Sequence, residues 1–142
     1  MGNNKTSKQI GNVTEMQNML GLMQLGYTVS KPYGDCDKYD FICDIDGKLY
    51  KLQSKTASTT DGSYFKINCR TSTRKKGKNV HQKYTKKDID FFITNFNGII
   101  YIIPVEDCGS DKRLRLTPTK NQQENNVTYA KQYEIKEVLK RL

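Results

Sequence analysis

Two apolar runs, DFFITNF (90–96) and IIYIIPV (99–105), flank Asn97-Gly98. Asn and Gly both accept positive φ, so this dipeptide is the strongest short signal for a two-residue β-hairpin turn. Strands this apolar predict a central place in a sheet whose faces other elements cover. Whatever else the chain forms has to pack around this pair.

The remaining pattern supplies those elements. From Thr6 to Leu25 the spacing predicts a helix, with Ile10, Val13, Met16, Leu20 and Met23 recurring at three- and four-residue steps. Thr6 and Gln9 form a capping-box pattern, and Gly26 suits a helix stop. Gly11 is unusual inside a helix and predicts close packing there. YTVSKPY (27–33) reads as a short strand that Pro32 confines to an edge or an end. YFKINCR (64–70) is a further strand. Residues 71–87 are basic and poor in apolar side chains, which predicts an exposed loop, with a short helix at 85–90. Residues 107–128 read as loop around the short strand RLRLT, and 129–142 as a closing helix. Helix, four or five strands, then helix predicts an α+β or mixed α/β fold, with a central mixed β-sheet flanked by helices. A length of 142 residues fits a single domain spanning 1–142.

Charge narrows the partners. Lys and Arg total 24 against 15 Asp and Glu, a net +9. That balance makes a polyanion a plausible partner and says nothing about fold. Cys36, Cys43, Cys69 and Cys108 include no Cys-x-x-Cys pair, and His81 is the only histidine, so nothing points to structural zinc. With no secretory apolar region and no long apolar run, the expectation is a cytoplasmic protein with reduced cysteines and no membrane partner. Cys43 and Cys69 fall inside strand-like runs and are expected to pack.

A second hairpin carries the chemistry. In KYDFICDIDGKLYKLQSKT (38–56), a turn at Asp46-Gly47 pairs Ile45 with Lys48, Cys43 with Tyr50, Phe41 with Leu52 and Asp40 with Gln53. Alternation sends Phe41, Cys43, Ile45, Tyr50 and Leu52 to one face. Asp40, Asp44, Lys51, Gln53 and Lys55 go to the other. Taken alone, such a face is most often solvated, with Asp44 and Lys51 as a weak ion pair. Glu15 precedes Met19 and Leu22 at helical spacing, so it flanks the helix's buried stripe and can lean toward Asp40.

This constellation resembles the PD-(D/E)xK nuclease superfamily. That family has a helical glutamate, an aspartate opening a strand, and an acidic-x-Lys on the next strand. The resemblance covers GNVTE (11–15), LGYTVSKPYGDCDKYDFICDIDGKLYKLQSKTA (25–57) and, more loosely, NCRTSTRKKG and YTKKDIDFF. It is strongest to the intron-associated endonuclease branch, where Gln replaces the second acidic residue. Archaeal Holliday-junction resolvases are similar over the same core. The resemblance implies a restriction-endonuclease-like core and a metal-dependent DNA endonuclease, site-specific (homing-type) or junction-resolving. It implies Mg²⁺ or Mn²⁺ held by Asp40, the Gln53 amide oxygen, the Ser54 carbonyl and Glu15, with Lys55 orienting or deprotonating the attacking water. Hard cations of this kind take oxygen ligands. Arg70, Arg74, Lys75, Lys76, Lys78 and Lys83 are then the DNA-contacting stretch, on double-stranded or branched DNA. Cutting two strands requires two active sites, hence a homodimer or homotetramer.

Two positions depart from the family pattern. Tyr39 replaces its proline, and Gln53 removes a negative charge from the metal site. The second keeps an alternative open: a catalytically inactive nuclease-fold module that binds DNA or RNA. Other nuclease types fit less well. One histidine cannot build an HNH site, NGIIYIIP fuses what a GIY-YIG enzyme keeps apart, and MLGLMQLGY lacks the acid of a LAGLIDADG helix. No phosphate-binding glycine loop is present.

Overall fold

A computed structural model describes residues 4–34, 36–121 and 125–142, with residues 72–74 described by backbone alone. The elements are α1 (Ser7–Gln24), β1 (Thr28–Ser30), β2 (Phe41–Ile45), β3 (Lys48–Ser54), β4 (Tyr64–Asn68) and β5 (Arg70–Lys75). They continue as β6 (Lys78–Lys83), β7 (Phe91–Phe96), β8 (Ile99–Pro104), β9 (Asp111–Arg115) and α2 (Ile135–Lys140). One 3₁₀ turn (Val105–Asp107) follows β8, and another (Ala130–Tyr133) leads into α2. The helix expected over 129–142 is therefore broken, because Glu134 adopts an extended conformation.

Five strands form a mixed sheet in the order β1-β2-β3-β7-β8. The hairpin at Asn97-Gly98 is as expected, both residues having positive φ. Phe92, Ile93, Ile102 and Ile103 are buried on its two strands. β3 runs parallel to β7, with Leu52, Gln53 and Ser54 opposite Phe91, Phe92 and Ile93. Parallel neighbours need a long crossover; here it contains β4, β5 and β6. β4 and β9 pair into a two-stranded layer that covers one face of the sheet. Phe65 of that layer stacks on Phe96 and leans on Tyr101, with centroids 5.1 and 5.0 Å away.

α1 covers the opposite face. Its capping box is formed as expected, Thr6 and Gln9 each accepting from the other's backbone N–H. Leu22 is fully buried, and its helical neighbours on that side are the polar Thr14 and Asn18. The stripe of Ile10, Val13, Met16, Leu20 and Met23 faces outward; Met16 is 64% and Met23 55% exposed. Close packing falls at Gly21 rather than Gly11. A Cβ at Gly21 would come within 2.6 Å of Ile100, whereas one at Gly11 meets nothing.

The basic segment departs most from expectation. It is a second two-stranded ribbon, β5 with β6, turning at Lys76-Gly77 with positive φ at both residues. Its strands, RTSTRK and KNVHQK, carry no apolar face, and they form a sheet of their own. In place of the helix at 85–90 there is a turn, closed by the Asp88 carboxylate accepting from Thr85 N–H at 2.9 Å. Among the described residues, no helix is long and apolar enough to cross a membrane.

Candidate active site

The register of the Asp46-Gly47 hairpin holds from Phe41↔Leu52 to Ile45↔Lys48. Phe41, Cys43, Ile45, Tyr50 and Leu52 are buried as alternation requires, and Cys69 is buried too. The pairing expected for Asp40 and Gln53 does not occur. Asp40 N–H donates to the Leu52 carbonyl at 2.9 Å, so the ladder ends one residue early. The Asp40 carboxylate is thereby turned over the end of β3, where Oδ2 accepts from Ser54 N–H at 2.9 Å. Asp44 and Lys51 are not partners either. Asp44 faces Leu49 and accepts from Gly47 N–H, while Lys51 Nζ donates to the Lys87 carbonyl.

Burial raises the Asp40 pKa, opposed by the Ser54 N–H. The Glu15 charge raises it further, and Lys31 and Lys55 lower it. Asp40 thus feels the helical glutamate and Lys55, one residue past β3, together. Glu15 Oε1 is held by Lys31 Nζ at 2.6 Å.

Gln53 and Lys55 lie on the sheet face that the β4–β9 layer and Tyr84 cover. Gln53 Oε1 is buried and has no hydrogen-bond partner. A buried amide oxygen left unpaired is costly and calls for an explanation. Lys55 Nζ donates to the Arg70 carbonyl at 3.1 Å and sits 5.2 Å from the Tyr84 ring centroid. Burial lowers its pKa, opposed by the nearby Cys69 and Asp40. Tyr84 stands edge-on to Phe92 and has its own pKa pushed up to about 12 by burial. The ring, wedged between strand and ribbon, fixes where the ammonium can go.

Two residues of α1 have a role that spacing alone did not announce. Asn18, fully buried, donates to Ser54 Oγ at 2.9 Å and the Ile93 carbonyl at 3.3 Å, and accepts from Asn95 at 3.0 Å. Thr14 hydroxyl meets Thr56 hydroxyl at 3.0 Å. Both lie within a turn of Glu15, so they tie its helix to the end of β3. Polar residues at positions 14 and 18, in step with Leu22, were the available signal. Asn18→Ala is expected to cost about 2–3 kcal/mol in urea unfolding, because Ser54 and Asn95 lose buried partners. A loss below about 0.5 kcal/mol would contradict this network.

Residues 5–136 match the family model of the PD-(D/E)XK endonucleases. The chain belongs to that family. A solved bacterial homing endonuclease, I-Ssp6803I, is similar in fold, with a TM-score of 0.74 at 23% identity over 95% of this chain and 93% of that one. No curated protein matches the chain. The mixed sheet with its helices is accordingly a restriction-endonuclease-like core.

The donor set suits a hard divalent cation: two carboxylates under mutual influence and an unpaired amide oxygen. No group of three His, Cys, Asp or Glu side chains that could hold a metal occurs among the described residues. Of the basic residues expected to meet DNA, Arg70, Lys75, Lys76, Lys78 and Lys83 are exposed on the β5–β6 ribbon. The side chain of Arg74 lies outside the described residues. The ribbon's root reaches the site through the Arg70 carbonyl on Lys55.

Proposed function

We propose that the chain is a divalent-metal-dependent endonuclease acting on double-stranded or branched DNA. Its catalytic set is Asp40, Gln53, Lys55 and Glu15. The observation that carries this is the unpaired, buried Gln53 Oε1 on the strand that bears Lys55 and meets the Asp40 carboxylate. In this reading Asp40, Gln53 Oε1, the Ser54 carbonyl and Glu15 hold Mg²⁺ or Mn²⁺. When bound, that ion polarises the scissile phosphate and acidifies a water. Lys55, held by the Arg70 carbonyl and Tyr84, orients the water and steadies charge developing on the phosphate. The ribbon supplies Arg70, Lys75, Lys76, Lys78 and Lys83 to the DNA backbone, and a two-stranded ribbon fits the major groove.

The cut is site- or structure-specific, of the homing or the junction-resolving kind. The bacterial homing endonuclease of similar fold supports the first. Two copies or four supply the active sites for both strands, and the outward apolar stripe of α1 supports such association.

Incubating the protein with supercoiled plasmid, linear duplex and a synthetic four-way junction tests the reading. Cleavage that requires Mg²⁺ or Mn²⁺ and stops with EDTA is expected. Binding with no cleavage of any of the three would leave the second reading, an inactive DNA- or RNA-binding module, which the missing charge at Gln53 keeps open. Gln53→Glu is expected to keep cleavage within about tenfold of the parent and to tighten metal binding, since it restores a charge at a hard-cation site. If the folded variant is inactive, the amide has a role beyond ligation.

A further inference from the structure

Lys31 follows the edge strand β1, and its ammonium meets the Glu15 carboxylate at 2.6 Å. The lysine side chain is 55% exposed and the glutamate 20%, so the lysine is the partner free to leave. Lys31 also lies within electrostatic reach of Asp40. One ammonium therefore acts on both carboxylates that the proposed function gives to a divalent cation. That ion and the ammonium cannot both hold Glu15 without strong repulsion.

We infer that Lys31 is a built-in counter-ion that competes with the divalent metal for Glu15. It balances the two carboxylates in the free protein and has to swing away for the metal to gain Glu15. It is a positioning residue, acting through Glu15, and the inference rests on the metal-site reading above. A merely structural tie between α1 and β1 would not affect metal affinity.

Calorimetric titration of the DNA-free protein with Mn²⁺ tests it, comparing the parent with Lys31→Gln and Lys31→Arg. Removing the competing charge is expected to tighten Mn²⁺ binding by about three- to tenfold in the Gln variant. The Arg variant, which keeps the charge, is expected to stay within about twofold of the parent. Unchanged or weaker binding by a folded Lys31→Gln protein overturns the competition while leaving the metal site standing. Absence of Mn²⁺ binding in all three, with Asp40→Asn indistinguishable from them, overturns the metal site and this role with it.

Discussion

Replacing Lys55 with alanine is expected to lower plasmid cleavage by about a thousandfold, the range lost when a positioned acid–base or charge-stabilising group is removed. DNA binding should change far less, because the proposed function gives the phosphate contacts to the exposed ribbon cations. The reason lies in how Lys55 is held. Its Nζ has one hydrogen bond, to the Arg70 carbonyl, and an aromatic ring beside it, and burial depresses its pKa. The charged form is therefore less favoured in the folded protein than in the unfolded chain. A depressed folded pKa gives stability above the unfolded pKa that is lost as pH falls through the folded one. Wherever the ammonium is charged, burial works against folding. Lys55→Met should consequently have a higher Tm at neutral pH while being equally inactive. A folded Lys55→Ala protein that cleaves at the parental rate would remove the residue from the mechanism.

Asp40→Asn is expected to abolish metal-dependent cleavage, again by about a thousandfold or more, and to raise stability at pH 7 in the absence of metal. Asparagine keeps an oxygen for Ser54 N–H but removes the charge that burial and Glu15 oppose. The sign follows from the raised pKa. Relative stability from such a group is fully present below the unfolded carboxylate pKa and lost as pH rises through the folded value. Above that value ionised Asp40 costs stability that the amide does not. The Tm advantage should therefore shrink as the pH is lowered through the carboxylate range. Mg²⁺ should raise the Tm of the parent by binding the native state and leave that of Asp40→Asn unchanged. An Asn variant that is less stable than its parent at pH 7 would mean that Asp40 serves structure rather than a ligand.

Local signals foretold these elements where the backbone itself was decisive. Asn97-Gly98 and Asp46-Gly47 fixed two hairpins, and alternation assigned Phe41, Cys43 and Leu52 to the core. The capping box placed the start of α1. On α1, Leu22 is buried as its place beside Glu15 implied, but apolar spacing shows where a helix is amphipathic, not which side meets the sheet. Here Thr14 and Asn18 are buried on polar partners while Met16 and Met23 face out. The β5–β6 ribbon was hidden because it has no apolar alternation, and only Gly77 marked its turn. The Asp40–Gln53 pairing was a projection of a regular ladder, and the ladder ends where Asp40 N–H takes the Leu52 carbonyl. Tertiary partners were illegible in the same way: Lys31 on Glu15, Tyr84 beside Lys55, Asn18 beneath Ser54.

Crystals of the protein grown with Mn²⁺ and measured at the manganese absorption edge test the central assignment most directly. A single anomalous peak is expected within about 2–2.5 Å of the Asp40 carboxylate and Gln53 Oε1. Mn²⁺ bound elsewhere, with Gln53 Oε1 still unpaired, would contradict it.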